Sequence, residues 1–309
     1  MAEMKFKGHQ SFFIRKGWLS KGIAAVRANS AILMPSNSKL AMDELGLGSN
    51  QVSALKYWLL ALGLIEKASD GKSHVLTPLC ELIFEKDPYI EEMGTLWALH
   101  CVLASNKEEA TAWYWFFNKS HMKVFSKADV ILGLQKYVLQ NLEDGQGSKK
   151  ASVALSSIEA DVDCIVNTYI SHERLGGKPV SPENVIDCPL GDLGMLDIES
   201  RQLKTFRKMP AVPSSLPALL VMFAIALMVQ KSVSGKDVIE ISLNELLNGC
   251  CSPGALFNLD TVVLLTKLYE LEEMGCLKIN RTAGSDVVRI VGENVAPIRF
   301  LEKYYEMIG

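Results

Sequence analysis

The sequence predicts a mainly α-helical protein with small β wings, divided into three regions. Regularly spaced apolar residues predict helices along most of the 309 residues, and paired β-type segments follow helices near the two ends. The regions are an N-terminal winged helix-turn-helix (1–77), a helical middle region with a wrapping loop (78–215) and a C-terminal winged-helix-like module (216–309). An apolar fraction of 49% is ample for packed cores, and the chain is longer than one ordinary domain.

The first region carries its helices and strands in a recognisable order. Helices are predicted over residues 17–28, 38–45 and about 50–62, and strands over residues 64–68 and 74–77. The dipeptide Asp70-Gly71 predicts the hairpin turn between the two strands. Two helices, a turn, a third helix and a two-stranded wing are the order expected of a winged helix-turn-helix that binds DNA.

The middle region is predicted to be helical from residue 78 to about 112 and then carries five consecutive aromatic residues, Trp113 to Phe117. Five consecutive side chains cannot share one helix face, so we expect core packing here, in preference to a platform for stacking bases. The polar stretch 144–150 predicts an internal boundary, and a further helix is expected from residue 157 to about 172. Residues 176–213 are punctuated by Pro and Gly and are expected to wrap over the surface.

The last hundred residues repeat the order of the first region. A buried helix is predicted over 216–231, two helices are capped by Ser242 and Asp260, and strands are predicted over 276–280 and 287–291. The helix that follows Asp260 carries Glu270, Glu272 and Glu273 with only Lys267 to offset them. A phosphate backbone repels an acidic helix, so we expect this module to contact a protein or a second copy of the chain.

The formal net charge of −3 hides an uneven distribution. Residues 1–75 hold ten Lys and Arg against five Asp and Glu, a balance of +5, while residues 76–215 balance at −5 and residues 216–309 at −3. A positive module on a negative body favours a polyanionic partner at the N-terminal end. A short segment can also reach +5 by chance, and that alternative stays open.

One face of the predicted third helix is polar. The apolar stripe of this helix, which must face the core, consists of Val52, Leu55, Leu59 and Leu62. The residues expected to contact DNA are Asn50, Gln51, Ser53, Lys56 and Tyr57 on this helix, Lys72 and His74 on the wing, and Lys7, Lys16 and Lys21 near the N-terminus. A solvated face without a ligand is the alternative.

His9 and Arg15 are the candidates for chemistry. They lie among apolar residues near the N-terminus, where Arg15 could contact a phosphate and His9 could act as a general acid or base. The alternative is that both satisfy buried polar groups. The carboxylates Glu159 and Asp163 share a helix face while Asp161 points away, which favours a solvated helix over a one-sided metal site.

Several classes of protein lack sequence support. The chain has no GxxxxGKS/T, GxSxG, HExxH or CxxC motif, so P-loop enzymes, serine hydrolases, zincins and zinc fingers are not predicted. No metal or cofactor is predicted, although nuclease chemistry would call for Mg²⁺ or Mn²⁺. Seven cysteines without framework spacing suit the cytoplasm, and no apolar run is long enough for a membrane span.

Three segments resemble a known bacterial family. They are F-x-G-H-x-x-F-x-x-R-x-G-W-L-x-K-G over Phe6–Gly22, L-G-x-G-x-N-x-V-x-x-x-x-Y-W-L-x-A-x-G-L-I over Leu45–Ile65, and C-P-L-x-x-L-G-M over Cys188–Met195. Their spacing covers nearly the whole chain. The family was long of unknown function, is encoded beside DNA phosphorothioation genes, and is identified with the SspB components of the Ssp single-strand phosphorothioation defence system.

The resemblance implies DNA binding and nicking of one strand before sulfur insertion, together with a desulfurase, an ATPase and an ATP pyrophosphatase-like partner. Two departures bear on it: Cys188 stands where the family usually has Ser, and Gln10 stands where an acidic residue is expected. The second departure removes a carboxylate from the segment that holds His9.

The leading hypothesis is therefore a DNA-binding component of a bacterial anti-phage phosphorothioation system that nicks one strand for sulfur insertion. The alternative is a non-catalytic DNA-binding adaptor or transcription regulator. The expected partners are DNA, other proteins of the system and a second copy of the chain, which would bind through the C-terminal module.

Overall fold

The computed structural model describes residues 4–143, 153–170, 187–230, 238–282, 285–291 and 295–309. Within these ranges the chain is mainly helical and contains three small antiparallel sheets. The predicted boundary at residues 144–150 and the predicted end of the helix at residue 172 lie outside the described residues.

The N-terminal region contains the predicted elements in the predicted order. They are α1 (Trp18–Ala28), α2 (Ser38–Leu45), α3 (Ser49–Ala61), β1 (Ile65–Lys67) and β2 (His74–Leu76). Gly46 and Gly63, just beyond the ends of α2 and α3, adopt left-handed φ values of 65° and 64°, a conformation that costs glycine little. The apolar stripe predicted for α3 is buried throughout, so its helical phase is confirmed.

The middle region is helical, as predicted. Its elements are α4 (Pro78–Lys86), α5 (Met93–Ser105), α6 (Thr111–Asn118), β3 (Val124–Ser126), α7 (Lys127–Glu143) and α8 (Leu155–Tyr169). The aromatic run forms most of α6. Four of its five side chains are buried and Tyr114 is half-buried, which confirms the prediction of core packing.

The expectation of a wrapping loop over residues 176–213 is wrong in its described part. Residues 189–193 form a short 3₁₀ helix, and β4 (Leu196–Ser200) and β5 (Thr205–Lys208) follow it. With β3 they make a three-stranded antiparallel sheet of order β3-β5-β4, in which Phe125 lies opposite Phe206. The partner strand β3 is about eighty residues away in sequence, and a local reading of the Pro- and Gly-containing segment cannot reveal that pairing.

The C-terminal region is built around one buried helix, α9 (Ala218–Val229), of which residues 218–226 are all buried. The other elements are β6 (Val238–Ser242), α10 (Leu243–Asn248), α11 (Pro253–Phe257), α12 (Thr261–Glu273), β7 (Lys278–Thr282), β8 (Ser285–Val291) and α13 (Pro297–Ile308). The predicted caps are confirmed: Ser242 accepts from the Glu245 N–H and Asp260 from the Val263 N–H.

The C-terminal region and the middle region share packing. Helix α13 lies against α9 and also contacts α4 and α5, while α9 contacts α5. The hydroxyl of Tyr304 accepts from the Gly94 N–H at 3.3 Å, and the hydroxyl groups of Tyr305 and Thr95 lie 2.5 Å apart. Among the described residues, no single helix combines the length and the apolar character needed to cross a bilayer.

Candidate nucleic-acid interface and the N-terminal arm

His9 is a buried structural link between the N-terminal arm, which we define as residues 4–17, and helix α8. Its Nε2 lies 2.7 Å from Oδ1 of Asp161, and its Nδ1 accepts from the Ser11 N–H at 3.1 Å. Because Nδ1 accepts this hydrogen bond, the ring hydrogen is assigned to Nε2, which donates it to the Asp161 carboxylate. Both ring nitrogens are therefore engaged.

Asp161 receives the arm at a second point. Its Oδ1 also accepts from the Lys7 N–H at 2.7 Å, and the residue is only 2% exposed. Burial raises the pKa of Asp161, and the hydrogen bond from His9 opposes that shift. The predicted division of the three carboxylates is confirmed, since Asp161 faces inward while Glu159 and Asp163 are exposed. The position of Asp161 on the apolar side of α8 was the feature of the sequence that could have predicted its buried role.

The backbone of the arm is strained around His9. Lys7, Gln10 and Ser11 have φ values of 56°, 49° and 66°, in the left-handed region that side-chain-bearing residues seldom adopt. Such strain persists only where surrounding contacts enforce it, and it is common at functional sites. A Cβ on Gly8 would lie 2.3 Å from the Tyr57 ring, so the close approach of arm and α3 requires glycine.

An aromatic cluster encloses the His9 ring. The centroids of Tyr57, Trp58 and Trp113 lie 5.8–5.9 Å from that of His9, with Trp58 stacked on it and the other two edge-on. The Trp58 indole donates to the Phe12 carbonyl at 2.9 Å. Two of the family-like segments thus meet here, because the Gly8-His9 pair packs on the Tyr57-Trp58 pair.

The prediction that Tyr57 projects from α3 toward DNA is wrong. Tyr57 is 5% exposed, and burial raises its pKa well above the usual value. The helical angle of Tyr57 was correct, but the N-terminal arm covers that side of the helix. Gln51 is also engaged within the protein, since its side chain accepts from the Gly48 N–H at the start of α3. Only Asn50 and Ser53 of the predicted contacts on α3 are exposed.

Lys56 of α3 lies near two further lysines, Lys5 and Lys67. The Lys56 ammonium donates to the Leu33 carbonyl at 3.2 Å, and burial, followed by repulsion from Lys67 and Lys5, lowers its pKa. Lys67 is exposed on β1, and Lys5 is paired with Glu109. Lys5 and Lys67 were not among the predicted DNA contacts. The feature that could have identified Lys67 was its outward position in the first strand of the predicted wing.

The prediction that His74 contacts phosphate from the wing is also wrong. His74 is 1% exposed, and burial, followed by Lys56 and Lys67, lowers its pKa. Its backbone N–H donates to the Ser30 carbonyl at 2.8 Å, which fixes β2 against the end of α1. Lys72, in contrast, is exposed in the hairpin turn, where its backbone N–H donates to Asp70.

The remaining predicted contacts lie along the arm and α1. Lys7, Lys16 and Lys21 are exposed, and the Lys16 ammonium pairs with Glu91 at 2.8 Å. The Arg15 guanidinium lies over the rings of Trp18 and Phe12, 5.3 and 5.9 Å from their centroids. Stacking of this kind orients Arg15 while part of the group stays accessible.

Two clefts flank the arm. A polar cleft of about 400 Å³ lies between the arm and α8; it is lined by Lys7, Ser11, Phe13, Ser156, Glu159, Ala160, Asp163, Cys164 and Asn167. A second cleft, of about 350 Å³, lies beside Lys16 and Glu91 and includes Cys188 and Pro189 of the third family-like segment. Ile90, which lines it, has a φ of 57°, a strained value for a β-branched residue. The three family-like segments therefore converge on the arm.

The described residues do not fit a dedicated metal site. No three His, Cys, Asp or Glu side chains among them are grouped closely enough to hold an ion. In the polar cleft, Asp163 is already paired with Lys127 at 2.7 Å.

Comparison with known proteins identifies the family. Two solved structures, described as "Magnesium ion-bound SspB crystal structure" and "SspB crystal structure", are 25% and 24% identical to this chain, with TM-scores of 0.85 and 0.84. Each comparison covers 99% of this chain and 89% of the other. No curated protein matches the sequence. The resemblance to SspB is confirmed by both structures. Since the family model described as "Protein of unknown function (DUF4007)" matches residues 6–305, the chain belongs to the DUF4007 family.

Proposed function

We propose that the protein is the DNA-binding component of a bacterial DNA phosphorothioation system and nicks one DNA strand for sulfur insertion. The observation that carries the proposal is the similarity to SspB over 99% of the chain, at a TM-score of 0.85. The excess of five positive charges over residues 1–75 is consistent with a polyanionic partner.

The DNA-binding module is residues 1–77, arranged as a winged helix-turn-helix. Helix α3 presents Asn50 and Ser53 to the groove, and the β1–β2 wing presents Lys67 and Lys72 to the phosphates. Lys7 and Lys21 extend the positive surface along the arm and α1. Lys56 supports this surface from a half-buried position, where it is held by the Leu33 carbonyl.

The wing lysines provide the sharpest test of this interface. In fluorescence anisotropy with a duplex oligonucleotide, Lys67→Ala/Lys72→Ala should weaken binding on the order of tenfold and lower the salt slope by about two, one per phosphate contact. The matched control is Lys278→Ala/Lys303→Ala, which removes two exposed lysines from the C-terminal region. Equal effects of the two double variants on DNA affinity would show that the wing does not contact DNA.

The polar cleft beside the arm is our proposed place for the nicking chemistry. Ser11 and Glu159 are exposed on its two sides, and a carboxylate in this position can act as a general base. His9 and Arg15 act as positioning residues: His9 is held by Asp161, and Arg15 stacks on Trp18. Ordering of the arm by these residues keeps Lys7 and Ser11 at the cleft.

Nicking is tested with supercoiled plasmid in the presence of Mg²⁺, Mn²⁺ or EDTA. We expect conversion to open circle by the native protein, and loss of that conversion in Glu159→Gln with unchanged DNA affinity. Glu302→Gln, on the exposed side of α13, is the matched control. Nicking that persists in Glu159→Gln would exclude this cleft. A gel shift without nicking under every condition would favour the adaptor or transcription regulator.

We also propose that residues 216–309 contact another protein of the system or a second copy of the chain. The acidic character of α12 is smaller than its composition suggests, since Glu270 pairs with Lys267 and Glu272 accepts from the Ile279 N–H. Val262, by contrast, is 73% exposed on the same helix. Light scattering of the native protein and of Val262→Asp tests the dimer: a mass of one chain for both would contradict it.

A further inference from the structure

Two adjacent cysteines form a thiol pair at the surface, between α10 and α11. The sulfur atoms of Cys250 and Cys251 lie 3.8 Å apart, and both residues are half-exposed. The hydroxyl of Tyr114 lies 2.9 Å from the sulfur of Cys250. Neither cysteine belongs to the N-terminal arm or to the residues of the proposed DNA interface, so the function proposed above does not use the pair.

The surroundings of Cys250 favour its thiolate. The hydrogen bond with Cys251 is the largest influence that lowers its pKa, to about 6, with further contributions from Tyr114, Lys119 and Lys107 against the opposing effect of burial. Tyr114 can donate because burial and its contact with Cys250 raise the pKa of its own hydroxyl. Another titratable group nearby is Tyr137 of α7, whose pKa is raised by burial and by Cys250.

The protein holds the second thiol in place. The backbone of Cys251 adopts a left-handed φ of 58°, and its N–H donates to Oδ1 of Asn118 at 2.6 Å. The Asn118 amide in turn donates to the carbonyls of Ala104 and Tyr114. A Cβ on Gly254 would lie 2.0 Å from the Leu247 carbonyl oxygen, so α11 packs directly on the backbone of α10. The pair is thus built on a closely packed support.

We propose that Cys250 and Cys251 form a covalent acceptor site for electrophilic sulfur or oxygen, in which Cys250 attacks and Cys251 closes a vicinal disulfide. The ligand class is a persulfide or a hydroperoxide, since both offer an atom that a thiolate can take with cleavage of a weak bond. The site stands independently of DNA binding.

Both ligands lead to the same product. With a persulfide, the Cys250 thiolate attacks the outer sulfur, the S–S bond breaks and a thiolate leaves; Cys251 then attacks the Cys250 sulfur and expels hydrosulfide. With a hydroperoxide, the O–O bond breaks, hydroxide (or an alkoxide from an organic hydroperoxide) leaves and Cys250 becomes a sulfenic acid, which condenses with the Cys251 thiol and releases water. In each case the two thiols lose two electrons and the ligand gains them.

The product is easily reversed. Neighbouring residues across a trans peptide bond have Cα atoms about 3.8 Å apart, below the roughly 4.4–6.8 Å of ordinary disulfides. A disulfide strained in this way is more oxidising and more readily reduced. The site therefore cycles between two states and does not act as a permanent crosslink.

The first measurement is site-resolved alkylation of the full-length, reduced protein by iodoacetamide, followed by mass spectrometry. At pH 6 a thiol of pKa about 6 is half ionised. It should react about tenfold faster than an ordinary thiol of pKa about 8.5, because about a hundredfold more thiolate outweighs roughly tenfold weaker nucleophilicity. Cys276, half-exposed in another loop, is the internal control. In Tyr114→Phe the inflection of the Cys250 rate should move to higher pH.

The second measurement adds glutathione persulfide to one sample of the protein and hydrogen peroxide to another. The native protein should lose two hydrogen atoms at the Cys250–Cys251 peptide, and dithiothreitol should restore them. Cys251→Ser should instead trap one extra sulfur atom, or a sulfenic acid, on Cys250. The reagent that oxidises the pair faster identifies the ligand class. The proposal would be overturned if iodoacetamide alkylated Cys250 no faster than Cys276. It would also be overturned if neither reagent left an adduct on Cys250 in Cys251→Ser.

Discussion

At the scale of single residues, the environment of His9 decides its role. The imidazole accepts from Ser11 and donates to Asp161, with three aromatic rings around it. A histidine with both nitrogens occupied and no exposed surface positions other groups and does not meet a substrate. We therefore place the proposed nicking chemistry on the exposed residues beside His9 and not on His9 itself.

Substitutions at this pair should differ in severity. His9→Ala leaves the Asp161 carboxylate buried without its partner and should lower the free energy of unfolding by about 3 kcal/mol. Asp161→Asn keeps an oxygen that accepts from both His9 and Lys7 and should cost only about 1 kcal/mol. Urea unfolding followed by tryptophan fluorescence measures both. An equally large loss in Asp161→Asn would contradict the expected difference between the two variants.

A second buried imidazole, His100, links stability to pH. It accepts from the Tyr169 hydroxyl and donates to the Leu256 carbonyl, and burial lowers its pKa from 6.5 to about 4. Between these values the unfolded chain binds a proton that the folded protein does not, so this residue makes stability fall as pH drops from 6.5 to 4. The loss amounts to about 3 kcal/mol.

Unfolding free energies measured between pH 8 and pH 4 test this dependence. In His100→Gln the slope of the unfolding free energy against pH should become shallower below pH 6.5, by the contribution of one proton. His121→Gln, which alters an exposed histidine, is the control and should leave the slope unchanged. An identical slope in His100→Gln and in the native protein would contradict the assignment.

At the scale of elements, the arm is joined to α3 by a contact that only glycine permits. Gly8→Ala would place a methyl group 2.3 Å from the Tyr57 ring and should cost about 1–3 kcal/mol as the arm shifts. In Gly191→Ala the nearest atom, the Thr168 carbonyl oxygen, lies 3.9 Å away, so this control should stay within about 0.5 kcal/mol of the native protein. Chemical unfolding and proteolysis of the arm measure the difference, and similar behaviour of the two variants would contradict it.

At the scale of the whole molecule, the division at residue 216 can be tested with fragments. Helix α9 is buried on all sides and packs against α5, while Tyr304 and Tyr305 of α13 bond to Gly94 and Thr95. A fragment of residues 216–309 would expose these apolar surfaces to water and should lack a cooperative thermal transition by circular dichroism. A sharp transition in the fragment would instead support an independent C-terminal domain.

The sequence by itself determined the elements whose signals are local. Capping residues, glycine helix ends and helical periodicity identified α1 to α3, the stripe of α3, the caps at Ser242 and Asp260, and the buried aromatic run. These features depend on residues within a few positions of one another, so one chain is sufficient to predict them. The family resemblance, carried by three short segments, was also available at this level.

The tertiary structure alone decided which of the predicted site residues are accessible. Periodicity gives the angle at which Tyr57 leaves α3, but not the arm that covers that angle. The His9–Asp161 bond joins residues 152 positions apart, and β3 pairs with β5 across about eighty residues. Burial, tautomer and long-range strand pairing depend on what packs against a residue, and that is fixed only when distant segments meet in the folded core.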